Sequence, residues 1–259
     1  MSLLLAVDIG NTNIGIGAFA GDELRHHWRI ETRREATGDT YGAVVLGALA
    51  ASGVRPEELC GVVICSVVPR LTEEFARLAR RYLKHEADVL HIEDLDIRTP
   101  YQPPSSIGMD RIANALAVRE RHGLPAVVVD FGTATTVDAV AEDGTYLGGA
   151  IAPGIETAVE ALYARAALLH RADLHLPRSA LGTTTADSLR SGIIYGFAGQ
   201  VDGIVRRILA ELSGEPCVVA TGGQAKLIAP VSETIQKVDE HLTLHGVRIA
   251  HELKKRRAG

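Results

Sequence analysis

Two short segments of the chain contain residue types that can bind phosphate and a metal ion. The first is Asp8-Ile9-Gly10-Asn11-Thr12, and the second, 122 residues later, is Asp130-Phe131-Gly132-Thr133-Ala134-Thr135-Thr136. A turn rich in glycine and threonine offers backbone N–H groups and hydroxyls to phosphate oxygens, and an aspartate beside it can hold a cation against them. We therefore predict two phosphate-binding turns that together clamp a nucleotide.

The sequence around the two segments follows the same order in both halves. Apolar runs at residues 3–7 and 126–129 precede the turns, and hairpin signals at 21–22 and 143–144 follow at matched distances. Each half is therefore predicted to run strand, turn, strand, tight turn, strand. Either Asp-x-Gly alone would indicate only a tight turn in which glycine takes a positive φ. A duplicated structural turn without a ligand remains an alternative.

This duplication resembles the superfamily of acetate and sugar kinases, actin and the heat-shock ATPases. The resemblance implies an α/β protein with a duplicated ribonuclease H-like (actin-like ATPase) fold, in which two mixed-sheet halves, flanked by helices, have a cleft between them. We expect the halves to be residues 1–117 and 118–259, with a helix over 110–121 as the hinge.

Composition limits the class of protein. The 259 residues are 46% hydrophobic and 23% charged, which is typical of a globular protein. The net charge of −5 argues against a nucleic-acid surface. No run approaches the ~20 apolar residues that span a bilayer, and no signal-peptide pattern begins the chain, so we expect a cytoplasmic protein without membrane contact. Cys60, Cys65 and Cys217 lie in or beside apolar runs and are expected to be reduced core thiols.

Periodicity and punctuation residues predict the other elements. Asp39 is expected to cap a helix that ends at residue 51. Further helices are predicted over residues 71–83, 110–121, 155–169, 186–212 and 246–257. Strands are predicted over residues 61–68, 89–92, 146–151 and 217–220. The segments 99–108 and 170–182 are expected to be irregular.

Four motifs, in order, carry a more specific resemblance. They are Asp-x-Gly-Asn-Thr at 8–12, Gly-x-Asp-Arg at 108–111, Asp-Phe-Gly-Thr-Ala-Thr-Thr at 130–136 and Thr-Gly-Gly at 221–223. Over nearly its whole length the chain resembles the type III pantothenate kinases. The resemblance implies transfer of the ATP γ-phosphate to the hydroxyl of pantothenate, the first step towards coenzyme A. It also implies Mg²⁺, a monovalent cation (K⁺ or NH₄⁺), and a homodimer that binds pantothenate at its interface.

The resemblance assigns roles to individual residues. Asp110 would be the general base, Asp130 would hold the monovalent cation, and Asp8 would position magnesium. The ATP site would contain Asp8, Ile9, Gly10, Asn11, Thr12, Asn13, Ile14, Gly15, Thr133, Gly222 and Gly223. The pantothenate site would contain Tyr101, Gly108, Met109, Asp110, Arg111 and Thr185.

Purely structural interpretations remain for several of these residues. Asp110 and Arg111 could be a helix N-terminal carboxylate beside a surface arginine. Tyr101 could be a half-buried loop aromatic, Thr185 could be a helix cap, and Asp130 could only repeat the magnesium role of the first turn. At the level of function, the alternatives are a kinase for another small acceptor and a catalytically silent relative that regulates or binds.

Overall fold

The computed structural model describes residues 2–166 and 173–258, and the chain contains ten strands and seven α-helices within that part. The elements of the N-terminal stretch are β1 (Leu3–Ile9), β2 (Asn13–Ala20), β3 (Glu23–Glu31), α1 (Gly38–Ala51), β4 (Leu59–Ser66), α2 (Pro69–Leu78), β5 (Ala87–Val89) and α3 (Met109–Arg121). Those that follow are β6 (Ala126–Phe131), β7 (Ala134–Val140), β8 (Tyr146–Pro153), α4 (Ile155–Arg165), α5 (Thr185–Glu211), β9 (Cys217–Gly222), α6 (Ala225–Ile228), β10 (Lys237–Val238) and α7 (Leu242–Ala258).

The chain forms two compact units. The first contains Met1–Ile97, Tyr101–Ala117 and Leu242–Gly259, and the second contains Arg98–Pro100 and Val118–His241. The contacts group α7 with the first unit because this helix packs on β1, β2 and β4. The expected division into the continuous halves 1–117 and 118–259 remains a prediction.

The first unit is built on a mixed sheet with the strand order β3-β2-β1-β4-β5. β1 and β2, and β2 and β3, pair antiparallel, whereas β4 pairs parallel with β1 and with β5. Side chains alternate across a strand, so every second residue of β1 points to one face. On that face Leu5, Val7 and Ile9 pack in a core with the buried side chains of α1 and α2, while α7 covers the other face.

The second unit repeats this plan with the strand order β10-β9-β6-β7-β8. β6, β7 and β8 form an antiparallel meander, and β9 pairs parallel with β6. Apolar residues of β6 and β9 pack against one side of α5, including Ile194, Val201 and Val205. The predicted order of strand, turn, strand, tight turn, strand is confirmed in both units, and so is the duplicated ribonuclease H-like fold class.

Several predicted boundaries were wrong. Thr37, and not Asp39, caps α1, because its side chain accepts a hydrogen bond from the Thr40 N–H at 3.3 Å. Asp39 instead lies in the first turn, where its charge favours the helix dipole. The fourth strand is Leu59–Ser66, displaced from 61–68, and the fifth is Ala87–Val89, displaced from 89–92.

The last helix begins at Leu242, four residues before the predicted start at Gly246. A Cβ atom on Gly246 would lie 1.9 Å from the carbonyl oxygen of Ala113 in α3. The glycine therefore marks a close approach of two helices within the first unit and does not mark the start of the helix. The predicted helix 155–169 is observed as Ile155–Arg165, and residues 167–169 of that prediction lie outside the described residues, as do residues 170–172 of the predicted irregular segment.

Candidate nucleotide and substrate site

The first Asp-x-Gly turn joins β1 to β2 and is closed by its own backbone. The Gly10 N–H donates to the Asn13 carbonyl oxygen at 3.0 Å, and a Cβ atom on Gly10 would lie 2.9 Å from that same oxygen. Only glycine fits this position without displacing the turn. Asn11 and Thr12 are exposed at its tip. The structure therefore leaves the polar groups of the turn accessible to a ligand.

The segment that follows β3 holds this turn from outside. The Thr32 hydroxyl donates to the Gly10 carbonyl oxygen at 2.8 Å, and the Thr32 N–H donates to the Thr12 carbonyl oxygen at 2.9 Å. Arg34 Nη2 donates to Asn11 Oδ1 at 2.8 Å. Thr32 and Arg34 belong to none of the sequence motifs, because strand pairing brings them to a turn about twenty residues away in the chain.

Residues of the predicted ATP segment divide between the two faces of the sheet. Ile9 and Ile14 are fully buried in the core with α1 and α2, so only their backbone atoms can contact a nucleotide. Asp8 is half-buried on the opposite face, directly paired with Gly15 of β2. Since Gly15 has no side chain, nothing on β2 covers Asp8 in this row of the sheet.

Cys65 of β4 lies directly opposite Asp8 of β1, on its other side. The Cys65 thiol is completely buried and hydrogen-bonds to the Asp8 carboxylate. Burial raises the pKa of the Cys65 thiol well above its ordinary value of 9.0, and the charges of Asp8 and Asp110 raise this pKa further. The structure therefore brings two predicted site carboxylates close to one buried thiol: Asp8, from the first motif on β1, and Asp110, from the second motif at the start of α3.

Asp110 begins α3 with its carboxylate folded back over the preceding glycine. Asp110 Oδ1 accepts a hydrogen bond from the Arg111 N–H at 2.9 Å and lies 2.4 Å from where a Cβ atom on Gly108 would be. This is the helix N-terminal role expected of a structural aspartate. Arg111, however, is only 6% exposed. The alternative of a surface arginine is therefore wrong, and Arg111 is a buried cation next to the candidate base.

The remaining residues of the predicted pantothenate site in the first unit differ in exposure. Tyr101 is half-buried in the irregular segment before α3, which fits either interpretation of this residue. Met109 is buried at 8% exposure, so its side chain serves packing.

In the second unit, Asp130 lies at the end of β6 between Thr136 of β7 and Thr221 of β9. Asp130 Oδ1 is 2.5 Å from where a Cβ atom on Gly222 would be, and Gly222 has a φ of +88°. Any side chain at Gly222 would therefore displace the Asp130 carboxylate. The structure brings Asp130 together with the Thr-Gly-Gly motif.

Thr221 has a fully buried hydroxyl beside Asp130. Directly paired residues point to the same face of a sheet, so the Thr221 side chain is on the Asp130 side. Thr221 Oγ1 has no hydrogen-bond partner within the described residues. Those residues contain no group of three or more His, Cys, Asp or Glu side chains arranged to hold a metal ion. A cation at Asp130 would therefore need hydroxyl or carbonyl oxygens as further ligands.

The turn after Asp130 is anchored to the start of α4. The Thr133 carbonyl oxygen accepts hydrogen bonds from the Gly154 N–H at 3.1 Å and from the Thr157 hydroxyl at 2.9 Å. Gln224, which follows Gly223, donates to Glu156 Oε1 at 2.7 Å. The turn of the 130–136 motif and the residue after the Thr-Gly-Gly motif are thus both hydrogen-bonded to the N-terminal end of α4.

Thr185 is the first residue of α5 and is exposed. The helix cap is Thr184, whose side chain accepts from the Asp187 N–H at 3.1 Å. The alternative that Thr185 caps the helix is therefore wrong. Thr185 lines an apolar groove of about 440 Å³ between α4 and α5, together with Ala158, Val159, Leu162, Ser188, Leu189, Gly192, Ile193 and Phe197.

Solved structures of other proteins share the fold of this chain. A Campylobacter jejuni protein described as a conserved putative Baf family transcriptional activator aligns with a TM-score of 0.63 at 20% identity, covering 97% of this chain and 99% of that one. The activator of 2-hydroxyisocaproyl-CoA dehydratase from Clostridium difficile aligns with a TM-score of 0.59 at 15% identity, covering 99% and 97%. With two matching units, the chain is a protein of the actin-like ATPase fold class.

Sequence comparison defines the family within that class. A family model described as Type III pantothenate kinase matches residues 4–207. The type III pantothenate kinase of Moorella thermoacetica is 48% identical over 253 residues, covering 96% of this chain and 99% of that protein. The type III pantothenate kinase of Brevibacillus brevis is 45% identical over 251 residues, covering 96% and 98%. The chain belongs to the type III pantothenate kinase family, as its motifs predict. No helix in the described ranges is long and apolar enough to cross a membrane.

Proposed function

We propose that this protein transfers the γ-phosphoryl group of ATP to the hydroxyl of pantothenate and forms 4'-phosphopantothenate, the first step of coenzyme A synthesis. Family membership supports the substrates. The observation that carries the chemistry is the arrangement of Asp8 and Asp110 around the buried Cys65, because it puts two carboxylates with different roles in one unit.

Asp110 is the proposed general base. In the reaction, the pantothenate hydroxyl oxygen forms a bond to the γ-phosphorus while the bond from that phosphorus to the bridging oxygen of ADP breaks. The hydroxyl proton passes to the Asp110 carboxylate. The hydrogen bond from the Arg111 N–H holds that carboxylate in place before the substrate arrives.

Arg111 is the proposed partner of the pantothenate carboxylate. A guanidinium presents parallel N–H donors that match both oxygens of a carboxylate. Because Arg111 is buried, an ion pair there is screened less by water than one on the surface. Tyr101, the backbone of Gly108 and Met109, and Thr185 are proposed to complete the pantothenate site.

The nucleotide is proposed to bind through both duplicated turns. In the first unit, the exposed groups of Asn11 and Thr12 and the backbone of the segment Asp8 to Gly15 would contact the phosphates. In the second unit, Thr133, Gly222 and Gly223 would contact the nucleotide. Backbone N–H groups of such turns bind phosphate oxygens without a competing side chain.

Two cations fit the oxygen groups that the structure presents. The Asp8 carboxylate, half-buried beside an exposed turn, suits Mg²⁺, which would neutralise charge on the phosphates. The Asp130 carboxylate and the buried Thr221 hydroxyl, which has no other partner in the described part of the chain, suit a monovalent cation such as K⁺ or NH₄⁺. Such a cation would offset negative charge near the substrates.

A homodimer in the cytoplasm is proposed as the working form. Gly192, Gly196 and Gly199 of α5 leave a smooth surface, since a Cβ atom on any of them would meet no atom within 4 Å. Leu162 and Tyr195 near this surface are 40% and 38% exposed. Exposed apolar surface of this kind is typical of protein interfaces.

The test is a direct assay of phosphoryl transfer. Purified protein is incubated with ATP, Mg²⁺, K⁺ and pantothenate, and ADP and 4'-phosphopantothenate are measured by mass spectrometry. Reactions without pantothenate, or with a sugar or another carboxylate acceptor, are the controls. We expect product only with pantothenate. Product with a different acceptor would indicate another small-molecule kinase, and no phosphoryl transfer to any acceptor would indicate a catalytically silent relative.

A further inference from the structure

Arg34 contacts the phosphate-binding turn, yet the established pattern of motifs gives it no role. Its Nη2 donates to Asn11 Oδ1 at 2.8 Å, and its side chain is exposed. The neighbouring Arg33 forms an ion pair with Glu31 at 3.0 Å. Among the described residues no carboxylate lies within ion-pair distance of the Arg34 guanidinium. Arg34 is therefore a cation at this turn whose charge is not neutralised by a carboxylate in the described part of the chain.

Hydrogen bonds from two helices hold the backbone on both sides of Arg34. The Arg34 carbonyl oxygen accepts a hydrogen bond from Arg70 Nη1 at 2.5 Å, and Arg70 also pairs with Glu35. The Arg33 N–H donates to the Tyr41 hydroxyl at 2.7 Å. Helices α1 and α2 thus hold both sides of the residue that reaches Asn11.

The contact also decides how the Asn11 amide is oriented. An amide oxygen accepts and an amide nitrogen donates, so donation from Arg34 to Oδ1 leaves the Asn11 NH₂ group as the donor on the other side. Arg34 itself has five N–H donors, and the contact with Asn11 uses one. A planar guanidinium with adjacent donors matches two oxygens of a phosphate.

We propose that Arg34 binds the polyphosphate of the nucleotide and orients the Asn11 amide towards the same oxygens. This inference rests on the proposed function in one respect, namely that the first turn binds nucleotide phosphates. It adds a cationic residue to that site and predicts that the residue recognises phosphate and not adenosine.

The experiment compares binding of ATP with Mg²⁺ and binding of adenosine, each by titration calorimetry without pantothenate. The variants are Arg34→Gln, Arg34→Lys and, as the matched control, Arg33→Gln. We expect Arg34→Gln to weaken ATP binding about 5- to 20-fold, from the loss of charge-assisted hydrogen bonds, with adenosine affinity unchanged. Arg34→Lys should recover part of the loss, and Arg33→Gln should stay within about twofold of wild type.

Salt dependence gives a second measurement. Raising the sodium chloride concentration in steps should weaken ATP binding in both proteins. The loss of affinity should be less steep in Arg34→Gln than in the wild type, because one cationic side chain fewer contacts the phosphates. Unchanged ATP affinity in Arg34→Gln, or an equal loss of ATP and adenosine affinity, would overturn the proposal. A wild-type protein that binds ATP but does not phosphorylate pantothenate would overturn only the proposed function, since the Arg34 comparison does not involve the acceptor.

Discussion

The Cys65 thiol lies opposite the Asp8 carboxylate in neighbouring parallel strands and hydrogen-bonds to it. Because the thiol is buried and its pKa is raised, it stays protonated at neutral pH and remains a donor. A neutral donor holds the carboxylate in place. Unlike a positively charged donor, it does not repel a cation that binds to the same carboxylate. Cys65 is a buried thiol, as predicted, but it also contacts a residue of the proposed site. The prediction that Cys60 lies in the core was wrong, because Cys60 is exposed.

This contact predicts that Cys65→Ala raises the Mg²⁺ concentration needed for half-maximal activity. We expect a rise of about two- to tenfold, from the loss of one hydrogen bond to Asp8, and a larger rise for Asp8→Asn. Magnesium titrations at fixed ATP measure both. Val63→Ala is the matched control, since Val63 is fully buried two residues earlier on the same face of β4. An equal magnesium response in the Cys65 and Val63 variants would assign Cys65 to packing alone.

A second prediction concerns Asp110. Asp110→Asn should lower kcat by ~10²–10⁴-fold, because an amide cannot accept the hydroxyl proton. Asn can still accept the hydrogen bond from the Arg111 N–H, so the fold and ATP binding should be retained. Single-turnover rates, thermal unfolding and ATP titration check the three parts. A loss smaller than tenfold at saturating substrates would remove Asp110 as the base.

Arg111→Lys should raise the KM for pantothenate more than it lowers kcat. The charge remains, but the bidentate fork is lost. Initial rates over a range of pantothenate concentrations give both constants. Arg119→Lys, an exposed position on the same helix, is the control and should match the wild type. An unchanged KM in Arg111→Lys would place this arginine outside the pantothenate site.

Activity should depend on a monovalent cation through Asp130. K⁺ or NH₄⁺ should support turnover where Na⁺ and choline do not, since a larger and weakly hydrated cation gives up water to oxygen ligands more readily. Asp130→Ala should abolish the response and also weaken pantothenate binding. Asp143→Ala, an exposed aspartate paired with Arg98, should leave the response intact. Initial rates in the four salts, with the sedimentation mass, test this; equal rates in all of them, or full activity as a monomer, would contradict it.

The pH dependence of stability should include a contribution from Asp88. His251 Nδ1 and Lys254 Nζ lie 2.5 Å and 2.7 Å from its oxygens. Burial alone would raise the pKa of Asp88, but the hydrogen bonds from His251 and Lys254 outweigh it and lower this pKa below 3.8. A carboxylate whose pKa is lowered in the folded state stabilises the fold at pH values above its unfolded-state pKa. This stabilisation is lost as the pH falls through the folded-state pKa.

We therefore expect Asp88→Asn to have a lower Tm at about pH 7 and a smaller fall in Tm between about pH 5 and pH 2 than the wild type. Thermal unfolding by circular dichroism over this range is the measurement. Asp22→Asn, in the exposed β2–β3 hairpin, is the control. Parallel Tm curves for wild type and Asp88→Asn would show that the α7 contact contributes no acid-sensitive stability.

The sequence by itself determined the duplicated strand order, most helices and the family. Each of these depends on local pattern: the apolar run before Asp8, the matching run before Asp130, and the order of the four motifs. Turn residues and strand periodicity act over a few neighbours, so they are readable without the fold. The helix from Met109 to Arg121 and the strand Cys217–Gly222 are close to their predicted bounds for this reason.

Only the tertiary structure decided what surrounds those motifs. The pairing of β1 with β4 places Cys65 beside Asp8, and the pairing of β2 with β3 brings Arg34 to Asn11, although neither contact is local in sequence. Strand register follows from how distant side chains pack, and a shift of one residue would turn Cys65 to the other face. For the same reason Gly246 was predicted to begin the last helix from the sequence, but in the fold it lies inside that helix where α7 closely approaches α3.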